Sequence, residues 1–77
     1  MKQNEKKALL AKVRATRDGA KGLTNNLDAL SAALTKTHDL ELSAVASTIT
    51  LLSAYVNQIA TAAGDVAELI EGKQTED

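Results

Sequence analysis

A run of 23 residues without any charge, from Leu42 to Gly64, constrains the fold of this 77-residue chain more than any other feature. Its apolar residues do not fill the run but recur every three or four residues, as they do along one side of a helix. Thirteen of the 23 residues are Ala, Ser, Thr or Gly, whose small side chains allow helices to approach closely. The run therefore indicates a helix that other helices cover on most sides.

Two apolar stripes predict that this helix belongs to an antiparallel helical hairpin. Each stripe alternates steps of three and four residues, which is the spacing of a heptad repeat. The first stripe contains Leu9, Val13, Thr16, Ala20, Leu23, Leu27, Leu30 and Leu34, and the second contains Leu42, Val45, Ile49, Leu52, Val56, Ile59, Ala63, Val66 and Ile70. We predict one all-α domain with a first helix over about 3–36, a turn over 37–39, a second helix over about 40–72 and a disordered acidic tail over 73–77.

Gly19 and Gly22 leave the shape of the first helix open. Each glycine costs about 1 kcal/mol relative to alanine inside a helix, yet the apolar stripe keeps its phase across both of them. One alternative is a continuous or kinked helix. The other is a short basic helix, a break at Gly19–Gly22, and then the hairpin.

The small size of the chain predicts self-association. A core of this size is marginal unless disulfides, a metal or other subunits add to it. The chain has no cysteine and a single histidine, His38, so we expect neither disulfides nor a metal site, and no cofactor. Oligomerisation is the remaining route, and we predict a four-helix-bundle dimer or a higher symmetric oligomer.

A strip beside the second stripe supplies the candidate interface with the oligomer or a protein partner. The apolar strip consists of Ala44, Leu51, Tyr55, Ala62 and Leu69. With two neighbouring amides, the candidate interface residues are Leu51, Tyr55, Asn57, Gln58, Ala62 and Leu69. Tyr55 is the best candidate for an anchor, because its ring can be buried while its hydroxyl stays hydrogen-bonded. A buried amide at Asn57 or Gln58 could fix the register and the number of subunits. The alternative is that both amides lie on an exposed polar edge.

The charges are strongly separated along the chain. Residues 1–21 hold seven basic and two acidic residues, a net charge of +5, whereas the remainder holds two basic and eight acidic residues, a net charge of −6. The hairpin register would bring Lys6, Lys7 and Lys12 near Glu71, Glu68 and Asp65. A second hypothesis is that Lys12, Arg14, Arg17 and Lys21 bind a nucleotide or RNA through its phosphates.

Catalysis has little support in the sequence, because a lone histidine in a turn offers no oriented general base. We expect a non-catalytic protein that binds itself and another protein, as an inhibitor, adaptor or assembly chaperone of the kind found among phage and mobile-element accessory proteins. Binding of a nucleotide or RNA is the first alternative, and a membrane-associated helix is the second. Asn57 and Gln58 disfavour membrane insertion of the charge-free run, and we expect a cytoplasmic location.

Overall fold

The protein is an antiparallel helical hairpin, as the sequence predicts. The computed structural model describes residues 1–76, and among them it contains two α-helices that pack against each other and no strand. Helix α1 spans Gln3–Thr35 and helix α2 spans Leu40–Glu71. The hairpin measures 60 × 13 × 11 Å. Helix α1 runs without a break through Gly19 and Gly22, and neither glycine has a positive φ.

The turn between the helices is held by local hydrogen bonds. The Thr37 hydroxyl donates to the carbonyl of Leu34 over 2.7 Å and accepts the amide of Asp39 over 3.3 Å. Asp39 is the N-cap of α2, since its carboxylate accepts the amide of Leu42 over 3.1 Å. His38 adopts a left-handed φ of 61°, which lets the chain reverse within four residues.

At the end of the hairpin opposite the turn, charged groups of the N-terminal segment bind the C-terminal end of α2. Helix α2 has no basic residue in its last turn, but Lys6 of α1 donates to the carbonyls of Glu71 and Lys73 over 3.1 and 2.8 Å. A cation at this position stabilises the negative end of the helix dipole. The amino group of Met1 also pairs with Glu76 over 3.3 Å. The predicted disordered tail includes Asp77, which lies outside the described residues.

The register of the two helices differs by one or two residues from the predicted one, in which stripe residues whose numbers sum to 75 or 76 face each other, such as Leu27 and Ile49. The Ser31 hydroxyl of α1 donates to the carbonyl of Ala46 in α2 over 3.0 Å. Near the open end, Leu10 of α1 packs with Ala67 and Ile70 of α2. Ser31 also contacts Thr50, and Leu10 also contacts Ile70. We take Ser31 as level with Ala46 and Leu10 as level with Ala67, the member of each pair closer to the turn. All other levels along the hairpin follow from these two.

The rotation of each helix about its own axis differs from the prediction. Half of each predicted stripe faces the other helix, namely Val13, Ala20, Leu27 and Leu34 on α1 and Ile49, Val56, Ala63 and Ile70 on α2. Each heptad has two positions that face the other helix. In α2 the second of them is occupied by small buried residues at intervals of seven, which are Ala46, Ser53, Ala60 and Ala67. The apolar residues Leu52, Ile59 and Val66, which we expected there, are exposed.

This rotation has a physical reason in side-chain size. Alanine and serine let two helix backbones approach more closely than leucine or isoleucine does, and the buried hydroxyl of Ser53 finds a partner there, since it donates to Asp28 over 2.5 Å. Among the described residues, Leu10 and Ile70 are the only buried side chains larger than serine. The hairpin therefore gains little hydrophobic free energy by folding alone.

Candidate interaction surface

The large apolar side chains that turn away from the hairpin contact form one continuous surface. In both helices, the stripe residues that do not face the other helix come one position before an inward-facing residue. Because the helices are antiparallel, these outward-facing residues of α1 and α2 lie on the same side of the hairpin. We call this surface the apolar face, and its residues are Leu9, Thr16, Leu23 and Leu30 of α1 and Val45, Leu52, Ile59 and Val66 of α2. All eight are exposed, and the seven leucine, isoleucine and valine side chains expose between 40% and 52% of their surface.

A groove of about 330 Å³ runs between the two helices on this face. Val13 and Thr16 of α1 form one wall, and Ile59, Ala63 and Val66 of α2 form the other, with Ala62 at the rim. Its lining is almost entirely apolar, so water in it makes few hydrogen bonds. A surface of this shape and chemistry fits apolar side chains of another helix.

The strip that the sequence singled out lies beside the apolar face, on α2. Leu51, Tyr55 and Leu69 expose 64%, 67% and 67% of their surface. Gln58 lies with Leu51 and Tyr55 around a shallow hollow, whereas Asn57 lies on the other side of the helix, at a polar cleft. The two amides are therefore not equivalent, and only Gln58 borders the apolar surface.

The opposite side of the hairpin is polar. A cleft of about 480 Å³ is lined there by Arg17, Lys21 and Asn57 together with Glu68 and Glu71. The candidate cations have acidic neighbours, since Arg14 forms an ion pair with Glu71 and Arg17 forms one with Asp18. The structure thus brings Arg14, Arg17 and Lys21 to the same side as two carboxylates.

Lys12 is separated from the other candidate cations. It follows Leu9 by three residues and precedes Thr16 by four, so it borders the apolar face and not the polar cleft. No ion pair joins Lys12 to Asp65, or Lys7 to Glu68, within residues 1–76, and Lys6 reaches the carbonyl of Glu71 rather than its carboxylate. Two of the three predicted ion pairs are therefore absent from the hairpin, and the third is replaced by a helix-capping contact.

The sequence interpretation missed the apolar face itself, because it assigned Leu52, Ile59 and Val66 to the contact within the hairpin. A signal for the correct rotation is present in the sequence. Small residues recur at intervals of seven in α2, each one position after a large apolar residue: Ala46, Ser53, Ala60 and Ala67. Such a row of small residues marks the side on which two helices can approach most closely.

Helix α2 is also long and apolar enough to cross a membrane. Its most apolar 18-residue window has a mean hydropathy of 1.2, and 11% of that window is buried within the hairpin. Length and composition alone carry this observation, and the core helix of a soluble bundle has the same properties.

Comparison of the chain with known protein families, with curated proteins and with solved structures finds no match.

Proposed function

We propose that this chain is a non-catalytic helical protein that self-associates through its apolar face and acts by binding another macromolecule, in the manner of an inhibitor, an adaptor or an assembly chaperone. The observation that carries the proposal is the continuous apolar face, which runs along both helices and has no partner within the hairpin. Extended apolar patches on soluble proteins mark interaction sites. A cytoplasmic location is part of the same proposal.

The exposed area of the chain supports a second copy as the occupant of this face. The hairpin exposes 5555 Å², whereas a compact folded protein of 8.1 kDa is expected to expose about 4,500 Å². The excess of about 1,000 Å² is close to the roughly 800 Å² that each partner buries in a stable interface. In a dimer of hairpins, each chain would therefore expose about as much surface as a compact protein of the same mass.

The solution mass tests self-association directly. We expect light scattering on a sizing column to give a mass at least twice the 8.1 kDa of one chain at micromolar concentration. Because association stabilises only the folded state, the melting temperature should also rise with protein concentration. A well-folded monomer whose melting temperature does not depend on concentration would contradict the proposal.

A membrane is the competing occupant of the apolar surface, and the same sample can test it. Flotation with neutral phosphatidylcholine vesicles separates bound from free chain. We expect the protein to stay at the bottom of the gradient, because the apolar face is already covered in the dimer. A monomeric mass together with flotation would support the membrane-associated alternative in place of ours.

Binding of a nucleotide or RNA is the second candidate function, and the cleft beside Arg17 and Lys21 is the observation in its favour. The test is the triple variant Arg14→Gln, Arg17→Gln and Lys21→Gln. We expect it to keep the parent's mass and to lose no more than about 1 kcal/mol of stability, because the cations are exposed and their ion pairs are weak. Salt-sensitive RNA binding by the parent that the triple variant loses would instead support the second candidate.

A further inference from the structure

Two glycines on α1 make no contact within the hairpin that requires a residue without a side chain. Gly19 and Gly22 lie inside a regular helix, where each costs about 1 kcal/mol relative to alanine. A Cβ atom added to either one would meet no neighbouring atom within 4 Å. The contact with α2 therefore does not require their small size. Because neither residue has a side chain, the backbone of α1 is uncovered at both positions, a feature we call the depression, and Gly19 borders the apolar face four residues before Leu23.

Tyr55 is at the same height as this depression. Ser31 is level with Ala46. Gly22 lies nine residues before Ser31 in α1, and Tyr55 lies nine residues after Ala46 in the antiparallel α2, so Gly22 is level with Tyr55. Tyr55 exposes 67% of its surface and lies on the outer flank of α2, so it does not reach the glycines of its own chain. A second copy whose α2 lies over α1 at the same height would place its tyrosine at that depression.

Two opposite charges lie at the same height beside the apolar face, Lys12 at its edge on α1 and Asp65 one row further out on α2. Leu10 is level with Ala67, so Lys12 is level with Asp65. Lys12 borders the apolar face on α1 and Asp65 borders the strip on α2, where it lies between Ala62 and Leu69. Neither forms an ion pair within the described residues. A second copy at the same height would bring its Asp65 close to Lys12.

We infer that two copies pack through their apolar faces about a two-fold axis parallel to the helices, with both turns at the same end. This arrangement rests on the proposed self-association and adds its geometry. Helix α1 of each copy lies against α2 of the other. Tyr55 of the second copy then covers Gly19 and Gly22, and its Asp65 pairs with Lys12.

The other symmetric way to bring the two faces together places the turns at opposite ends. In that dimer α1 lies against α1 of the second copy, so the basic half of α1 meets residues 22–35, where Asp28 is the only charge. Lys12 and Asp65 both stay unpaired, and Tyr55 lies against the second copy's α2, away from the glycines. Charge complementarity therefore favours the arrangement with the turns together.

Charge reversal tests the contact between the two copies. Lys12→Glu alone and Asp65→Lys alone should each weaken the dimer roughly tenfold, because each creates two pairs of like charges at the rim. Mixing the two variants restores both pairs only if they form between chains. With one variant labelled with ¹⁵N, native mass spectrometry should show the mixed dimer above its statistical fraction. Lys7→Glu, which changes the net charge equally but lies on the polar side of α1, one heptad before Arg14, is the control and should leave the affinity unchanged. A statistical mixture would overturn the inference.

A distance measurement tests the orientation independently. The chain has no cysteine, so Lys36→Cys places a single spin label beside the turn of each copy. Turns at the same end put the two labels within about 30 Å, or three helix diameters. Turns at opposite ends separate them by close to the 60 Å length of the hairpin. A dimeric mass with the long distance would contradict this arrangement alone, whereas a monomeric mass would contradict the proposed function itself.

Discussion

Replacing Leu52 with glutamate is expected to convert the protein into a monomer. Leu52 lies in the middle of the apolar face and exposes 47% of its surface in the single hairpin. In a symmetric dimer the change acts twice, because each copy would bury a carboxylate where an apolar side chain was. The loss is roughly 3 kcal/mol or more per dimer, which lowers the association constant at least about 100-fold.

Light scattering and circular dichroism together measure this effect. The mass of Leu52→Glu should fall to that of one chain at concentrations where the parent is associated, and its melting temperature should no longer depend on concentration. Ser47→Glu is the matched control, since it adds the same charge to an exposed position of α2 outside the apolar face. Leu52→Ala should fall between the two. An unchanged mass for Leu52→Glu would show that the apolar face is not the site of association.

Replacing Ala46 with leucine is expected to destabilise the hairpin itself. Ala46 exposes only 3% of its surface, and its carbonyl accepts the hydroxyls of Ser31 and Thr50. Extra methyl and methylene groups have no room there and would force the two helices apart. Overpacking of this kind costs about 1–3 kcal/mol, which in a chain of this size lowers the melting temperature by roughly 5–20 °C.

Thermal melting measures this effect, and Ala44→Leu is its control. Ala44 lies two residues before Ala46 in α2, at an exposed position. The same alanine-to-leucine change there should alter the free energy of unfolding by no more than about 0.5 kcal/mol. The comparison isolates the close contact of the helices from any change in helix propensity. Equal melting temperatures for the two variants would contradict the close approach of the helices at Ala46.

The hairpin could be predicted from the sequence because its signals are local. The heptad spacing of the stripes, the short link and the capping residue Asp39 each act over a few residues, and the structure confirms the hairpin and the N-cap. The register was predictable to within two residues for the same reason. A shift of the stripes along each other would have left apolar residues opposite the turn or the tail.

The rotation of the helices could not be predicted by counting apolar residues. Leu52 and Ser53 are neighbours in the sequence, and hydrophobicity alone places Leu52 inside. The hairpin instead buries Ser53, which exposes 4% of its surface and is bonded to Asp28. The free energy that decides between the two rotations depends on how closely the backbones approach, and this distance is set by the size of the side chains between the helices and not by their hydrophobicity.

The row of alanine and serine along the inner side of α2 also has a consequence for the life of the protein in a cell. Under the proposed self-association, a hairpin that gains little by folding alone would owe much of its stability to the second copy, and its folded fraction would depend on how much of it has been made. Opened chains are the ones that proteases cut. A low rate of synthesis would then shorten the half-life of each molecule, and a high rate would lengthen it, so that abundance responds to gene dosage more steeply than in direct proportion.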